Sequence, residues 1–177
     1  MIVDILKYTG LFLLLLLLQV FVLNRVMVGY SYGFLFKPQI YIMLILLLPP
    51  AIKHNYLILI SFFIGLTIDM FTNTMGINAA ACTLIGFSRG YITRNIDNEI
   101  SARDEDNRIW TSKKSTGWKM IYFITLITVH HFIVFTVENL GENFLTRILP
   151  TILVSVFLSF FLILMLEDIL FKPAKNR

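Results

Sequence analysis

The sequence predicts an all-α polytopic membrane protein built as one six-helix transmembrane bundle, and three observations carry that prediction. Hydrophobic residues make up 57% of the 177 positions and mean hydropathy is +0.77, far above soluble composition. The apolar residues fall into six blocks separated by polar or charged stretches. Lys and Arg then collect on one side of the path those blocks define.

A helix rises about 1.5 Å per residue and the hydrocarbon core of a bilayer is about 30 Å thick, so a span wants roughly 20 apolar residues. The first block, 5–23, is leucine-rich and meets this length. It lacks the small-residue site that would follow a cleaved signal peptide, so it is expected to stay as an anchor. The second block, 38–52, has the clean run "QIYIMLILLL" but stops at Pro49-Pro50. It spans as a helix only by extending backwards or continuing past a kink. Blocks three and four, 56–71 and 75–92, are shorter and hold Asp69, Gly86, Arg89 and Gly90, so they are expected inside the bundle. Blocks five and six, 118–137 and 148–166, have full spanning length.

Six spans with both termini cytoplasmic leave twelve Lys and Arg inside and only Arg25, Lys37 and Arg147 outside, a strong positive-inside bias. The polar stretch 93–116 mixes five acidic residues with basic ones and reads as a solvated cytoplasmic loop. The net charge of +4 therefore reflects charges flanking spans, and no nucleic-acid partner is expected. The chain reads as a single domain, 1–177.

Few residues carry chemistry. Cys82 is the one cysteine and the three histidines lack H-E-x-x-H spacing, so no metal site or cofactor is expected. His130 and His131 point about 100° apart on a helix and are read as helix-to-helix hydrogen bonders. Arg89 is read as snorkelling to the inner boundary. Asp69 has no second acid or histidine near it in sequence, so no catalytic residue is assigned and no enzyme is expected. Two readings of Asp69 stay open: a buried polar cluster with Asn73 and Asn78 lining a cavity or binding a partner, or a wet helix end bonding within its own turn. Gly86 and Gly90, with Ala79 on the same small face, predict a close helix-packing seam.

The stretch "GLTIDMFTNTMGINAAACTLIGFSRGYI", 65–92, resembles the signature of the rod shape-determining protein MreD family. The matching positions are Gly65, Leu66, Asp69, Gly76, Ala79, Gly90 and Tyr91. Size, span count and the leucine-rich first helix agree with it. Gly65 and Gly76 join the helix-packing set through this resemblance.

The resemblance implies a non-enzymatic protein of the bacterial inner membrane, part of the elongation complex that maintains rod shape and supports peptidoglycan synthesis. Its direct partner would be MreC, and through it MreB, RodA and the penicillin-binding partner of RodA, with membrane lipid around it. It also implies a fold similar to the substrate-binding S component of energy-coupling-factor transporters, with an outward cavity. A vitamin-capturing S component is accordingly the rival function. The first helix, "LFLLLLLLQVFVL", lacks the small-residue face by which such subunits dock, which weighs against it.

Overall fold

The computed structural model describes residues 2–25, 36–49, 52–96 and 115–171, with side chains over 6–25, 36–49, 52–92 and 115–170. Most of the stretch 93–116, expected as a cytoplasmic loop, and residues 172–177 fall outside these residues.

Helix α1 runs Ile2–Leu17 and continues through a π turn, Leu18–Val22, and a 3-10 turn, Leu23–Arg25. Helix α2 is only Ile42–Leu47, α3 is His54–Thr72, α4 is Ile77–Ile96, α5 is Thr116–Glu138, and α6 is Leu149–Phe171 after a π turn at Phe144–Ile148. No β-strand occurs among the described residues. Four stretches are long and apolar enough to cross a membrane: Leu6–Arg25, His54–Thr72, Thr116–Glu138 and Phe144–Leu170. The protein is an all-α membrane protein by this architecture. Helix α4 has spanning length but lower hydropathy, because Asn78, Ser88, Arg89 and Arg94 interrupt its apolar residues.

Local chemistry explains the helix ends. Ser115 caps α5, accepting from the Trp118 backbone N–H at 3.3 Å. Asn143 caps the turn before α6, its Oδ1 accepting from the backbones of Leu145 and Thr146. Helix α3 stops where Asn73 adopts a left-handed conformation, φ 56°, which asparagine tolerates better than most residues.

Helices α3 and α4 form a tight antiparallel hairpin. A Cβ added at Gly65 would strike the backbone of Asn78 and Ala79. One added at Gly86 would come within 2.5 Å of Ser61 Oγ, and one at Gly90 within 2.5 Å of His54 Nδ1. The absent side chains set the distance between the two helices. Gly76 differs from the packing role expected of it: a Cβ there would meet nothing within 4 Å, and its φ is +79°. Its task is conformational, in the turn that joins the helices. Helix α3 also departs from the expectation of an interior helix. It buries Leu57, Ser61, Ile64 and Ile68 on one face but exposes Tyr56, Leu59 and Phe63 on another.

The second block corrects the expectation of a helical span over 38–52. Its helix is six residues long, and 37–40 are neither helix nor strand. Every residue from Gln39 to Leu48 is buried. Lys37 bonds Glu138 at one end of α5, and the Leu46 carbonyl accepts from Tyr122 sixteen residues nearer its start, a distance of about 24 Å along the helix. Mixed irregular and helical backbone therefore passes through the middle of the bundle, antiparallel to α5. Pro38 begins it without an N–H. Chain direction alternates from α1 through this segment to α6, so Ile2 and Phe171 lie at one end and the α3–α4 turn at the other.

If the glycine seam sets the hairpin, Gly65→Ala costs about 1–3 kcal/mol through forced separation, read as a lower melting temperature in detergent. Gly10→Ala, at a position with nothing within 4 Å, leaves melting unchanged or raises it. Equal behaviour of the two variants contradicts the packing account.

Candidate functional site

Asp69 lies in the last turn of α3 and is 4% exposed. Its Oδ1 accepts from the Asn78 backbone N–H at 3.1 Å, the Asn78 side-chain amide at 3.0 Å and the Thr74 hydroxyl. Its Oδ2 accepts from the Ala79 backbone N–H at 2.8 Å. Asn78 and Ala79 are in the first turn of α4, whose leading N–H groups have no partner within their own helix. A carboxylate suits that site, because it fills orphan donors and faces the positive end of the helix dipole. An acid poorly placed at the end of α3 thus becomes the cap of α4. The two readings left open by the sequence merge: Asp69 is buried in a cluster and also bonds its own turn.

Asn78 carries the cluster inward. Its amide nitrogen is committed to Asp69 and to Thr74, so its carbonyl oxygen is free to accept from the Tyr41 hydroxyl at 2.7 Å. Having given its proton to Asn78, the Tyr41 oxygen accepts from His130 Nε2 at 3.1 Å. Tyr41 stands at the point where the threaded segment turns from irregular backbone into α2, so α3, α4 and α5 all converge on that segment.

Residues 37–40 have no strand partner among the described residues, and side chains supply the missing bonds. Gln19, 2% exposed in the π turn of α1, donates to the Pro38 carbonyl at 3.1 Å and accepts from the Ile40 N–H at 2.8 Å. One amide side chain here replaces a neighbouring strand. On α6, Ser155 accepts from the Lys37 N–H at 3.2 Å and Ser159 from the Gln39 N–H at 2.8 Å. Ser159 in turn donates to His131 Nε2 at 2.9 Å, and His131 Nδ1 donates to the Ile127 carbonyl. His131 is thus the α5-to-α6 link expected of it, with a second duty toward the threaded chain.

Above these groups a cavity of about 210 Å³ opens at the α3–α4 turn end of the bundle. Gln19, Gln39, Tyr41 and Asn78 line it, with Lys37 and Glu138 forming a 3.0 Å ion pair beside them. Of the three residues expected at a cavity or partner surface, Asn78 lines the cavity, Asp69 holds Asn78 in place from behind, and Asn73 is not part of the lining. Asn73 is exposed because its left-handed turn directs it away from the cluster. Arg89 corrects another expectation. It is 2% exposed and donates to the Leu48 carbonyl at the end of α2, where a cation meets the negative end of the helix.

The coupling of Tyr41 to Asn78 is measurable. Tyr41→Phe and Asn78→Leu each lower stability, by about 1–3 kcal/mol, through a lost bond and a stranded partner. The double variant falls short of their sum by about 1 kcal/mol or more if the two share one interaction, and unfolding in detergent reads this directly. Additivity within about 0.5 kcal/mol denies the shared bond.

Comparison with protein-family models, with curated proteins and with solved structures returned no match.

Proposed function

We propose that the chain is a non-enzymatic, partner-holding bundle of the MreD type. In this reading it makes six passes of the bacterial cytoplasmic membrane, counting the threaded segment as one, with both termini in the cytoplasm. It captures MreC, and through it serves the elongation complex of MreB, RodA and the penicillin-binding partner of RodA. The single observation that supports this most is the α3–α4 hairpin. Gly65, Asp69, Ala79 and Gly90, which carry the resemblance, all serve one physical unit there. Gly65 admits Asn78 and Ala79, Asp69 caps the helix that begins beside them, and Gly90 admits His54.

Charge favours the proposed orientation. Lys37 and Arg147 lie toward the turn end with Arg25, while Lys7, Lys53, Arg89 and Lys119 lie toward the other, which the positive-inside rule assigns to the cytoplasm. The α3–α4 turn then faces outward, on the side where the periplasmic part of MreC resides. The task assigned to Asp69 is to hold that turn in a shape MreC recognises.

A second reading, a small-molecule capture subunit of the S-component type, is favoured by the polar cavity. Asp69→Ala separates the two. The scaffold reading expects weakened copurification of MreC and rounded cells, with the protein inserted at near-normal level. Normal shape and undiminished MreC capture, together with lost uptake of a small metabolite, overturn it in favour of capture.

A further inference from the structure

We infer that the cavity at the α3–α4 turn end is a binding site for a small zwitterion, a group that carries a primary ammonium and an anionic oxygen a few bonds apart. This inference is independent of the scaffold reading, since a partner-holding bundle and a capture subunit could each carry such a site.

Charge sets the ligand class. The charged groups lining the cavity are Lys37 and Glu138, with side chains 43% and 15% exposed. They sum to zero, so neither a net anion nor a net cation is matched. Their separation of 3.0 Å is that of a pair a zwitterion can open and replace, its anionic oxygen taking Lys37 and its ammonium taking Glu138. Each keeps capacity for this: the bond between them uses one of the Lys37 ammonium donors and one of the two Glu138 oxygens.

Unused hydrogen-bonding capacity shows where the ligand sits. Gln39 lines the cavity and is 6% exposed. One terminal atom of its amide stands 3.4 Å from the Tyr41 hydroxyl, and the other has no partner among the described residues. That end of the amide is accessible from the cavity, where it can meet a polar group of a ligand. The deeper groups are already spent: Asn78 on Asp69, Thr74 and Tyr41, and Gln19 on the threaded backbone. Free capacity therefore lies in an arc from Gln39 to the ion pair, with Leu23 and Ile68 as the apolar part of the lining. A volume of about 210 Å³ holds roughly seven waters at about 30 Å³ each, the size of an amino acid or of a phosphoethanolamine headgroup.

These two sources share one chemistry, and one experiment distinguishes them. Purified full-length protein is placed in phosphatidylglycerol nanodiscs and in matched discs containing phosphatidylethanolamine. Each preparation is titrated with glycerophosphoethanolamine, L-serine, glycerol 3-phosphate and glycerol while melting is followed. The expected result is a saturable rise of about 2–5 °C with a zwitterion and none with the anion or the neutral polyol. Glycerophosphoethanolamine effective only in phosphatidylglycerol discs identifies the lipid headgroup as occupant. L-serine effective in both discs identifies a free solute. Glu138→Gln is expected to weaken the effective probe about tenfold or more, and Thr67→Val, on the outer face of α3, to leave it unchanged. Should Glu138→Gln fail to fold, native mass spectrometry of the unaltered protein decides through retention of phosphatidylethanolamine or L-serine over glycerol 3-phosphate. No response to either zwitterion, or an equal response to glycerol 3-phosphate, overturns the inference and leaves a cavity filled by water alone.

Discussion

Residues 37–40 are non-helical backbone inside a bundle that has no β-strand among its described residues, and the rest of the structure is arranged around that constraint. Lipid-exposed backbone must be helical or paired in a closed barrel, because an unsatisfied amide in the hydrocarbon core costs several kcal/mol. Irregular backbone survives only where protein surrounds it. Here α1 contributes Gln19, α6 contributes Ser155 and Ser159, and α5 fixes Ser159 through His131. Each polar residue sits in an otherwise apolar helix. Their common purpose is visible only once the segment between them is in view.

The second constraint lies at the α3–α4 turn. Glycines bring the two helices together, and the close approach brings Asp69 within reach of the first N–H groups of α4. The same carboxylate orients Asn78, which orients Tyr41. A chain of hydrogen bonds therefore runs from the surface turn to the centre of the bundle. The shape of the outer turn and the placement of the threaded segment are physically coupled, since altering either end changes the partners available to the other. The cavity lies between them and inherits its lining from both.

Much of this was legible in the residues and part was not. Five long helices follow from apolar block length, and the close seam from the spacing of Gly86 and Gly90. The involvement of Asp69 with Asn78 could be suspected because a carboxylate in an apolar run needs a partner. The threaded segment was not legible. "IYIMLILLL" is apolar throughout, and a short apolar run reads equally as helix or as buried extended chain. Its environment decides, and that comes from residues 20 to 120 positions away. Ser155 and Ser159 did leave a trace, being four apart on one face of a leucine-rich helix. Without a segment to bond they read as incidental. Proximity in sequence did not place Asn73 with Asp69 and Asn78: the left-handed residue that ends α3 is exposed, outside the cavity lining.

The central claim is that side chains from α1 and α6 satisfy the backbone of 37–40 within the bundle. Amide hydrogen exchange at Gln39 and Ile40, measured on the protein in detergent micelles, tests it most directly. The account predicts protection comparable to that of the middle of α5, falling steeply at Gln39 in Ser159→Ala and at Ile40 in Gln19→Leu. Rapid exchange at both amides in the unaltered protein would mean that water, not Ser159 and Gln19, meets this backbone, and would contradict the account.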